Sequence, residues 1–361
     1  MPSREADCRG ELLLAIPFRT MNRNQEVAPT RILRQMSKGY GLSMKDEKCE
    51  MISDPWAQAR KTSWRERGKR ITFYLPGMFK YNGICGSYPC LSITGGHCEL
   101  QCDHCKGSLL TTMIPALTPE RLLEECRRMD EKGCRGVLLS GGCDKEGRLP
   151  WGPLIPAIAE VKKRTRLFVS IHSGMVDEET AFQLKEAGVD QALLDVVGDD
   201  ETYKTVCHVP FGISRISSTL EAFNKAGVPV IPHIVCGLYY GEMRGEKNAI
   251  EMISRFDVKQ VVVVSLMRNS DAPRPIRKVT AEEVAEIIAG LRHRMPNIEI
   301  SLGCARERGN TRMELLALEA GVNRMALPSE EVIRRAREYG LEVRYQRTCC
   351  SVSLDMSEPE W

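Results

Sequence analysis

The sequence predicts an α/β fold, specifically a TIM-type barrel built from eight strand and helix units. Apolar, β-branched stretches alternate with amphipathic helical segments over most of the chain, and turn signals separate them. Strands that alternate with helices form parallel sheets, and eight such units can close a barrel. The chain has 361 residues, of which 42% are hydrophobic, so it can bury one large core.

Eight strand candidates follow one another from residue 89 onward. Each is short, apolar and mostly β-branched, which is typical of strands that are buried on both faces. They are Pro89–Thr94, Gly136–Ser140, Arg166–His172, Ala192–Val197, Val228–Val235, Gln260–Leu266, Ile298–Leu302 and Val322–Leu327. The segment Ile71–Gly77 is interpreted as leading the chain to the first of these strands.

Helices are predicted between most of the strands. Thr118–Lys132 begins with a Thr-Pro-Glu start signal, Asp177–Ala187 ends at a glycine, and Thr280–Arg294 ends just before a proline. Residues 1–54 show no sustained period and are expected to be a poorly ordered leader. The barrel is then expected over residues 55–328. Residues 329–361 are expected to form the last helix and a short tail that caps one end of the barrel.

Composition limits the compartment and the classes of partner. No stretch reaches the eighteen apolar residues that a membrane span requires. A net charge of +3 is too small to indicate a nucleic-acid partner. Fifteen cysteines clustered around motifs suit metal binding in a reducing compartment better than a disulfide framework. We therefore expect a cytoplasmic protein that binds neither nucleic acid nor a membrane.

A cysteine loop directly follows the first predicted strand. Cys98, Cys102 and Cys105 have the spacing C-x3-C-x2-C. Three thiolates on one short loop can hold three corners of a [4Fe–4S] cluster and leave the fourth iron open for an exogenous ligand. A structural zinc site is the alternative, with His97 or His104 as a fourth ligand. Such sites normally use paired C-x2-C knuckles, however, and need no long alternation of strands and helices.

On these residues the chain resembles the radical S-adenosylmethionine (SAM) superfamily, whose signature is this cysteine loop after the first barrel strand. His104 stands where an aromatic residue is usual. The resemblance implies that the open iron chelates the amino and carboxylate groups of SAM. One electron from the cluster then cleaves SAM to methionine and a 5′-deoxyadenosyl radical. It also implies an electron donor such as ferredoxin or flavodoxin.

The same resemblance assigns cofactor-binding residues at the C-terminal ends of the strands, where barrel enzymes place their chemistry. Gly141 and Gly142 match the pair that accepts the SAM ammonium through backbone carbonyls, although an ordinary turn is the alternative. His172 and Asp195 stand where the family holds ribose and carboxylate groups, although a histidine at a strand end is often only a core residue. Glu242 is expected to complete the adenine-binding segment. No residue is assigned a catalytic role.

A second group of cysteines predicts an auxiliary iron–sulfur cluster. Cys304 follows the seventh strand, and Cys349 and Cys350 are adjacent in the tail, so the three thiols can meet if the tail folds over the barrel mouth. Exposed vicinal thiols are prone to oxidation without a metal. The alternative is that these cysteines are buried hydrophobes or incidental. Cys85 and Cys90 are alternative or additional ligands of this cluster, and Cys143 is also expected near the barrel mouth. The remaining cysteines of the barrel are interpreted as packing residues: Cys126, Cys134, Cys207 and Cys236.

Within the superfamily the chain resembles the biotin synthase-related group, and in that group a subunit of the two-subunit lipoyl synthases of archaea and some bacteria. The matching stretches are Phe73–Phe79, Ser92–Gly95, Leu139–Gly142, Pro232–Ile234, Leu302–Arg306 and Thr348–Ser351. The resemblance implies a full (β/α)8 barrel and sulfur insertion into C–H bonds of an octanoyl chain. That chain is carried on a lysine of a lipoyl domain or another octanoylated carrier protein, and a second radical SAM subunit is the expected partner.

The sequence departs from single-chain lipoyl synthases, which have an upstream C-x4-C-x5-C run and a C-terminal Arg-Ser-Ser-Tyr motif. Here only Cys85 and Cys90 have the matching spacing, and Gly96 stands in the third place. Three other functions stay open. They are another radical SAM reaction such as methyl or methylthio transfer, a biotin synthase-like reaction on a small free substrate, and a non-catalytic subunit that carries a cluster. The intact cysteine loop with Gly141 and Gly142 argues against the last.

Overall fold

The computed structural model describes residues 55–81, 83–267 and 272–360. The leader predicted over residues 1–54, with Cys8 and Cys49, lies outside the described residues. No helix within the described ranges is long and apolar enough to cross a membrane.

The described chain contains thirteen strands and ten α-helices. The strands are β1 (Arg70–Tyr74), β2 (Lys80–Tyr81), β3 (Ile84–Cys85), β4 (Cys90–Ser92), β5 (Ile114–Pro115), β6 (Gly136–Ser140), β7 (Phe168–His172), β8 (Gln191–Asp195), β9 (Val230–Cys236), β10 (Gln260–Ser265), β11 (Glu299–Leu302), β12 (Arg324–Ala326) and β13 (Glu342–Gln346). The helices are α1 (Ala57–Arg67), α2 (Pro119–Glu131), α3 (Ile155–Arg164), α4 (Glu178–Glu186), α5 (Asp200–Cys207), α6 (Ser214–Ala226), α7 (Glu246–Ile253), α8 (Ala281–Arg294), α9 (Thr311–Glu319) and α10 (Glu330–Glu338). Short 3-10 segments cover Ser108–Thr112 and Gly152–Leu154.

Eleven strands form one curled sheet in the order β13-β1-β12-β11-β10-β9-β8-β7-β6-β4-β5. Every pairing in it is parallel, as the alternation of strands and helices predicts. The remaining strands, β2 and β3, form a small antiparallel hairpin. The α/β fold with a TIM-type parallel barrel is therefore confirmed, and all eight predicted strands lie in this sheet.

The closure of the sheet differs from the prediction in one respect. The eighth predicted strand, β12, pairs with β1, and β1 pairs with β13. The lead-in segment and the start of the tail are thus strands of the same sheet. The two sides of the curled sheet meet where Ser87, just before β4, donates from its backbone N–H (2.7 Å) and its hydroxyl (2.9 Å) to the carbonyl of Arg347, just after β13.

Helix starts agree with the capping signals in the sequence. Thr118 and Asp177 accept hydrogen bonds from the backbone at the starts of α2 and α4, and Thr280 forms a capping box with Glu283 at the start of α8. The three predicted helices are confirmed to within one residue at each end.

Apolar side chains form two separate clusters. The larger one lies between the sheet and the surrounding helices. The smaller one joins buried side chains from several different strands, which can meet only inside the curled sheet. We call it the inner cluster; its buried members are Tyr74, Tyr88, Leu138, Leu193, Ile231, Val262, Val264, Ala326, Cys350 and Val352. Two of these members belong to the C-terminal tail, so the tail contributes to the barrel interior.

The tail enters the barrel from the end at which the strands begin. Gln191 and Gln260, the first residues of β8 and β10, donate to the carbonyls of Ser351 and Cys350, both at 2.8 Å. Arg324, the first residue of β12, donates to the carbonyl of Val352 at 2.8 Å. The tail therefore caps the N-terminal end of the barrel and does not cover the mouth at the other end. This placement satisfies backbone carbonyls that would otherwise be buried without partners.

The loop after β11 is fixed by a buried arginine. Arg306 is 1% exposed and donates to the carbonyls of Gly303 and Ala326 and to the carboxylate of Glu314, the last at 2.8 Å. This loop contains Cys304, so the arginine ties a cysteine-bearing loop to the end of the neighbouring strand.

We expect Arg306→Ala to lower the free energy of unfolding by about 3–5 kcal/mol, because it leaves the buried Glu314 carboxylate uncompensated. Arg312→Ala is the control, since Arg312 pairs with Glu282 on the surface and its loss should cost about 0–1 kcal/mol. Denaturant unfolding of the cluster-free protein under reducing conditions measures both values. Equal losses for the two variants would contradict the structural role given to Arg306.

Candidate functional site

The cysteine loop leaves the C-terminal end of β4 and packs against the C-terminal end of β6. The hydroxyl of Thr94 accepts from the backbone N–H of Gly142 at 2.7 Å and donates to the carbonyl of His97 at 3.0 Å. The backbone N–H of Glu99 donates to the carbonyl of Cys143 at 2.8 Å. Hydrogen bonds on both sides of Cys98, the first cysteine of the loop, therefore join the loop to residues that follow β6.

This contact explains why glycine stands at position 142. A Cβ there would lie 2.0 Å from the carbonyl oxygen of His97 and 2.5 Å from the Cβ of Cys98. At Gly141 a Cβ would lie 3.0–3.1 Å from Thr94 and Ile93. Close packing of the cysteine loop is thus a structural requirement for the glycine pair, in addition to the SAM-binding role that the resemblance implies.

The thiols of the three motif cysteines lie close enough to influence one another. Burial raises the pKa of the Cys105 thiol to about 11, and the neighbouring thiols of Cys102 and Cys98 add to the increase. Burial also raises the pKa of Cys143, again with contributions from Cys98 and Cys102. Among the described residues, the sulfurs of the three motif cysteines do not form a compact group within 4.8 Å of one another. Three thiolates on one loop are the ligand set that a [4Fe–4S] cluster with one open iron requires.

Asp103, between the second motif cysteine and His104, anchors the loop to the rest of the barrel. Its carboxylate accepts from Lys106 at 2.6 Å, contacts the His208 ring at 2.9 Å, and accepts from the Tyr240 hydroxyl. Burial raises the pKa of this carboxyl, but these three partners hold it below its usual value. These contacts of Asp103 could not be predicted from the sequence, because His208 and Tyr240 lie far along the chain.

His172 and Asp195, predicted to bind the cofactor, lie together at the ends of β7 and β8. His172 Nε2 is 3.5 Å from Asp195 Oδ1, and the rings of His172 and His233 are 5.9 Å apart. The side chains of His172 and Asp195 remain 37% and 50% exposed although protein surrounds them, because they open onto the barrel interior. Burial raises the pKa of Asp195, but His172, His233 and His104 together hold it well below its usual value. Burial lowers the pKa of His172, but Asp195 outweighs burial and raises it.

Glu242 lies on the exposed loop after β9 and lines one pocket with Asp195. The pocket lies between the ends of β8 and β9 and the loops that follow them. Asp195 also contributes electrostatically to the pKa values of Cys102 and Cys105. The structure therefore places Asp195 near His172, Glu242 and the cysteine loop, while Gly141 and Gly142 contact the loop directly.

The second group of cysteines meets inside the barrel. The thiols of Cys304, Cys349 and Cys350 lie close enough to shift one another's pKa values. The Cys350 thiol lowers the pKa of Cys349 to about 6, although burial opposes that decrease. Cys90, at the start of β4, joins them: burial raises its pKa, and the thiols of Cys349 and Cys304 raise it further. We call these four residues the inner thiol group.

The other cysteines fall in different places. Cys85 lies on the β2–β3 hairpin and is not part of the inner cluster. Cys126 and Cys236 are buried in the large core, and Cys134 packs against it, as expected for packing residues. Cys207 is different, because the Cys102 thiol donates to its backbone carbonyl at 3.7 Å. Its own thiol lowers the pKa of Cys102.

The chain matches two families. Residues 92–253 match the Radical SAM superfamily, and residues 249–354 match the Biotin and Thiamin Synthesis associated domain, BATS. The biotin synthase of Citrifermentans bemidjiense is 26% identical over 245 residues, which cover 64% of this chain and 72% of that protein. Biotin synthase 2 of Paracoccus denitrificans is 25% identical over 246 residues, which cover 64% of this chain and 74% of that protein.

Solved structures with the same fold include methylornithine synthase, with a TM-score of 0.56 and 19% identity. The alignment covers 80% of this chain and 88% of that structure. HydG, a maturase of the [FeFe]-hydrogenase, has a TM-score of 0.55 and 16% identity over 79% of this chain and 66% of that structure. At these identities the two structures support the fold alone.

We expect Gly142→Ala to lose the iron held by the cysteine loop, about four atoms per chain, because the added Cβ would displace the backbone of His97 and Cys98. Gly96→Ala is the matched control: it lies in the same loop, and its Cβ would have no atom within 4 Å. Iron and acid-labile sulfide in anaerobically reconstituted protein measure the effect. Retention of full iron by Gly142→Ala would show that the close contact is not required.

The two relatives have the name biotin synthase, so the similarity supports the biotin synthase-related group and not the narrower resemblance to a lipoyl synthase subunit. The cysteine loop lies at the carboxyl ends of a parallel curled sheet, and the two matched families together extend over residues 92–354. The chain therefore has a radical SAM domain followed by a BATS domain, and it is similar to biotin synthases.

Proposed function

We propose that this enzyme inserts sulfur into unactivated C–H bonds and that its substrate is an octanoyl chain on a lysine of a lipoyl domain. The observation that supports the proposal is the inner thiol group, Cys90, Cys304, Cys349 and Cys350, inside the same barrel as the cysteine loop. A reaction that needs only the 5′-deoxyadenosyl radical does not require a second set of metal-binding thiols. Sulfur insertion requires a sulfur source beside the substrate.

In this proposal Cys98, Cys102 and Cys105 hold a [4Fe–4S] cluster through three thiolates. When bound, that cluster supplies the electron that cleaves SAM. Gly141 and Gly142 let the cofactor approach the backbone closely, while Asp195 and His172 offer polar side chains at the neighbouring strand ends. One SAM is consumed for each hydrogen atom removed from the substrate.

The inner thiol group would hold the auxiliary iron–sulfur cluster. The lowered pKa of Cys349 favours the thiolate, which is the form that binds metals. The tail that contains Cys349 and Cys350 is held by hydrogen bonds to its carbonyls, so the thiols are positioned before any metal binds. His172 contributes electrostatically to Cys349 and contacts Asp195, which influences the motif cysteines. In this proposal the substrate lies beside His172 and Asp195, which interact electrostatically with the inner thiol group and the cysteine loop, respectively.

An alkyl substrate suits the interior of the barrel. Leu138, Leu193, Ile231, Val262 and Val264 are apolar, belong to strands β6, β8, β9 and β10, and adjoin the inner thiol group. An octanoyl chain has no charge along its length and would be desolvated favourably against such a surface. A lysine-linked acyl chain also explains how a macromolecular substrate could reach a buried site. A second radical SAM subunit and a ferredoxin or flavodoxin are the proposed protein partners.

The relatives favour a second candidate, a biotin synthase-like reaction on a small free substrate. They are named biotin synthase and match about two thirds of this chain. Both candidates require sulfur insertion, so they share the inner thiol group and differ only in the molecule that receives the sulfur.

Incubation of reconstituted enzyme with SAM, a strong reductant and an octanoylated lipoyl domain tests the proposal. We expect 5′-deoxyadenosine together with a thiolated octanoyl-lysine peptide, identified by mass spectrometry after proteolysis. A parallel incubation with the biotin precursor separates the second candidate. Formation of 5′-deoxyadenosine without sulfur on either substrate would contradict sulfur insertion and favour another radical reaction such as methyl or methylthio transfer.

We expect the double variant Cys349→Ala/Cys350→Ala to retain SAM cleavage and to lose the thiolated product, because the motif cysteines are untouched while the auxiliary ligands are removed. Cys126→Ala is the control: it removes a buried cysteine of the outer core and should retain both activities. Chromatographic assay of 5′-deoxyadenosine and mass spectrometry of the peptide are the measurements. Product formation by the double variant at the unchanged rate would exclude the inner thiols as the sulfur site.

A further inference from the structure

Three ligand atoms from the cysteine loop and helix α5 form a compact group, of which only Cys102 belongs to the C-x3-C-x2-C motif. Cys102 and His104 belong to the loop, and Cys207 is the last residue of α5. One sulfur or ring nitrogen from each residue lies within 4.8 Å of the other two. We call these residues the Cys2His group.

The backbone holds the two halves of this group together. The Cys102 thiol donates to the carbonyl of Cys207 at 3.7 Å, and the backbone N–H of Asp103 donates to the carbonyl of Val206 at 2.9 Å. His208 follows Cys207 with a left-handed φ of 59° and returns its ring to Asp103. The end of α5 is thus attached to the cysteine loop at three points, and Cys207 cannot move away independently.

The separations suit one tetrahedral metal ion. Zinc binds thiolate sulfur at about 2.3 Å and imidazole nitrogen at about 2.0–2.1 Å, so tetrahedral ligand atoms lie roughly 3.5–3.8 Å apart. Ligand atoms within 4.8 Å reach this geometry with shifts of about 1 Å or less. The three motif cysteines do not form such a group among the described residues, so the geometry distinguishes a single-ion site from the cluster site.

His104 provides the second, independent observation. Its Nδ1 is buried and has no hydrogen-bond partner within the part of the chain that the structure describes. Burying a polar atom without a partner is unfavourable, so such an atom in a native structure calls for an explanation. An imidazole nitrogen between two thiols is a typical ligand set for zinc.

We propose that the cluster-free chain binds one zinc-type divalent ion through Cys102, His104 and Cys207, with the fourth position left to water. The two thiols release their protons as the ion binds, and no oxidation or reduction takes place. Because Cys102 belongs to both sites, the single ion and the complete [4Fe–4S] cluster exclude each other. Zinc therefore inhibits cluster assembly on this chain through Cys207, a residue outside the C-x3-C-x2-C motif. The proposal does not depend on the substrate of the enzyme.

Co²⁺ is the probe, since tetrahedral Co²⁺–thiolate sites absorb strongly in the near ultraviolet. The full chain is freed of metals, kept reduced under anaerobic conditions, and titrated with Co²⁺. Every protein in the titration, the reference chain included, contains Cys304→Ala, Cys349→Ala and Cys350→Ala, which remove three of the four thiols of the inner thiol group. We expect one equivalent with two sulfur ligands. Loss of a residue that only hydrogen-bonds to a metal ligand weakens metal binding about 10–100-fold. Cys207→Ser removes a ligand itself, so we expect it to weaken Co²⁺ binding by more than about 100-fold.

Cys98→Ser is the matched control. It removes a motif cysteine that is not in the Cys2His group, so Co²⁺ binding should be unchanged while the loop cluster fails to assemble. Cys207→Ser should show the opposite pattern, with normal iron incorporation that added Zn²⁺ no longer inhibits. Co²⁺ binding that survives Cys207→Ser, or that disappears in Cys98→Ser, would overturn the proposal.

X-ray absorption of the zinc-loaded reference chain, with the same three substitutions in the inner thiol group, gives a second test that needs no Cys207 variant. The proposed site predicts two sulfur and two nitrogen or oxygen ligands around the ion. Three or four sulfur ligands would show that the ion binds the motif cysteines together and would overturn the proposal even if Cys207→Ser failed to fold.

Discussion

The hydrogen bonds that hold the C-terminal tail inside the barrel position the thiols on which the proposed sulfur chemistry depends. Gln191 and Gln260 stand at the starts of β8 and β10 and donate to consecutive carbonyls of the tail. Arg324 donates to the next one. These bonds compensate the cost of burying the backbone, and they fix Cys349 and Cys350 facing Cys304 and Cys90. Without them the adjacent cysteines would lie on a terminal segment with no defined position.

The opposite end of the barrel is organised by contacts of the cysteine loop. Gly142 permits the backbone of the loop to touch the end of β6, and Asp103 ties the loop to the chain beyond β8 and β9. Each contact joins the loop to residues that the parallel sheet brings to its carboxyl end. His172 interacts electrostatically with Cys349 of the inner thiol group, and Asp195 interacts with Cys105 of the cysteine loop. The pair of His172 and Asp195 is thus electrostatically linked to both thiol groups.

Local pattern was sufficient to predict the eight central strands and the three capped helices, because hydrophobic periodicity and capping depend on neighbouring residues. It was not sufficient for β1 and β13, which join the sheet through pairings of β1 with β12 and of β1 with β13. The direction from which the tail enters depends on side chains in distant strands. The roles of Asp103 and Cys207 depend on contacts between residues about a hundred positions apart. A single cysteine on a helix gives no signal of such a contact.

The most direct test of the two-site account is the iron and acid-labile sulfide content of anaerobically reconstituted protein in which Cys98, Cys102 and Cys105 are all changed to Ala. If the inner thiol group holds an auxiliary [4Fe–4S] cluster, about four irons per chain remain. Loss of essentially all iron would contradict the second cluster and leave a radical SAM enzyme with one cluster, for which sulfur insertion would no longer be the leading reaction.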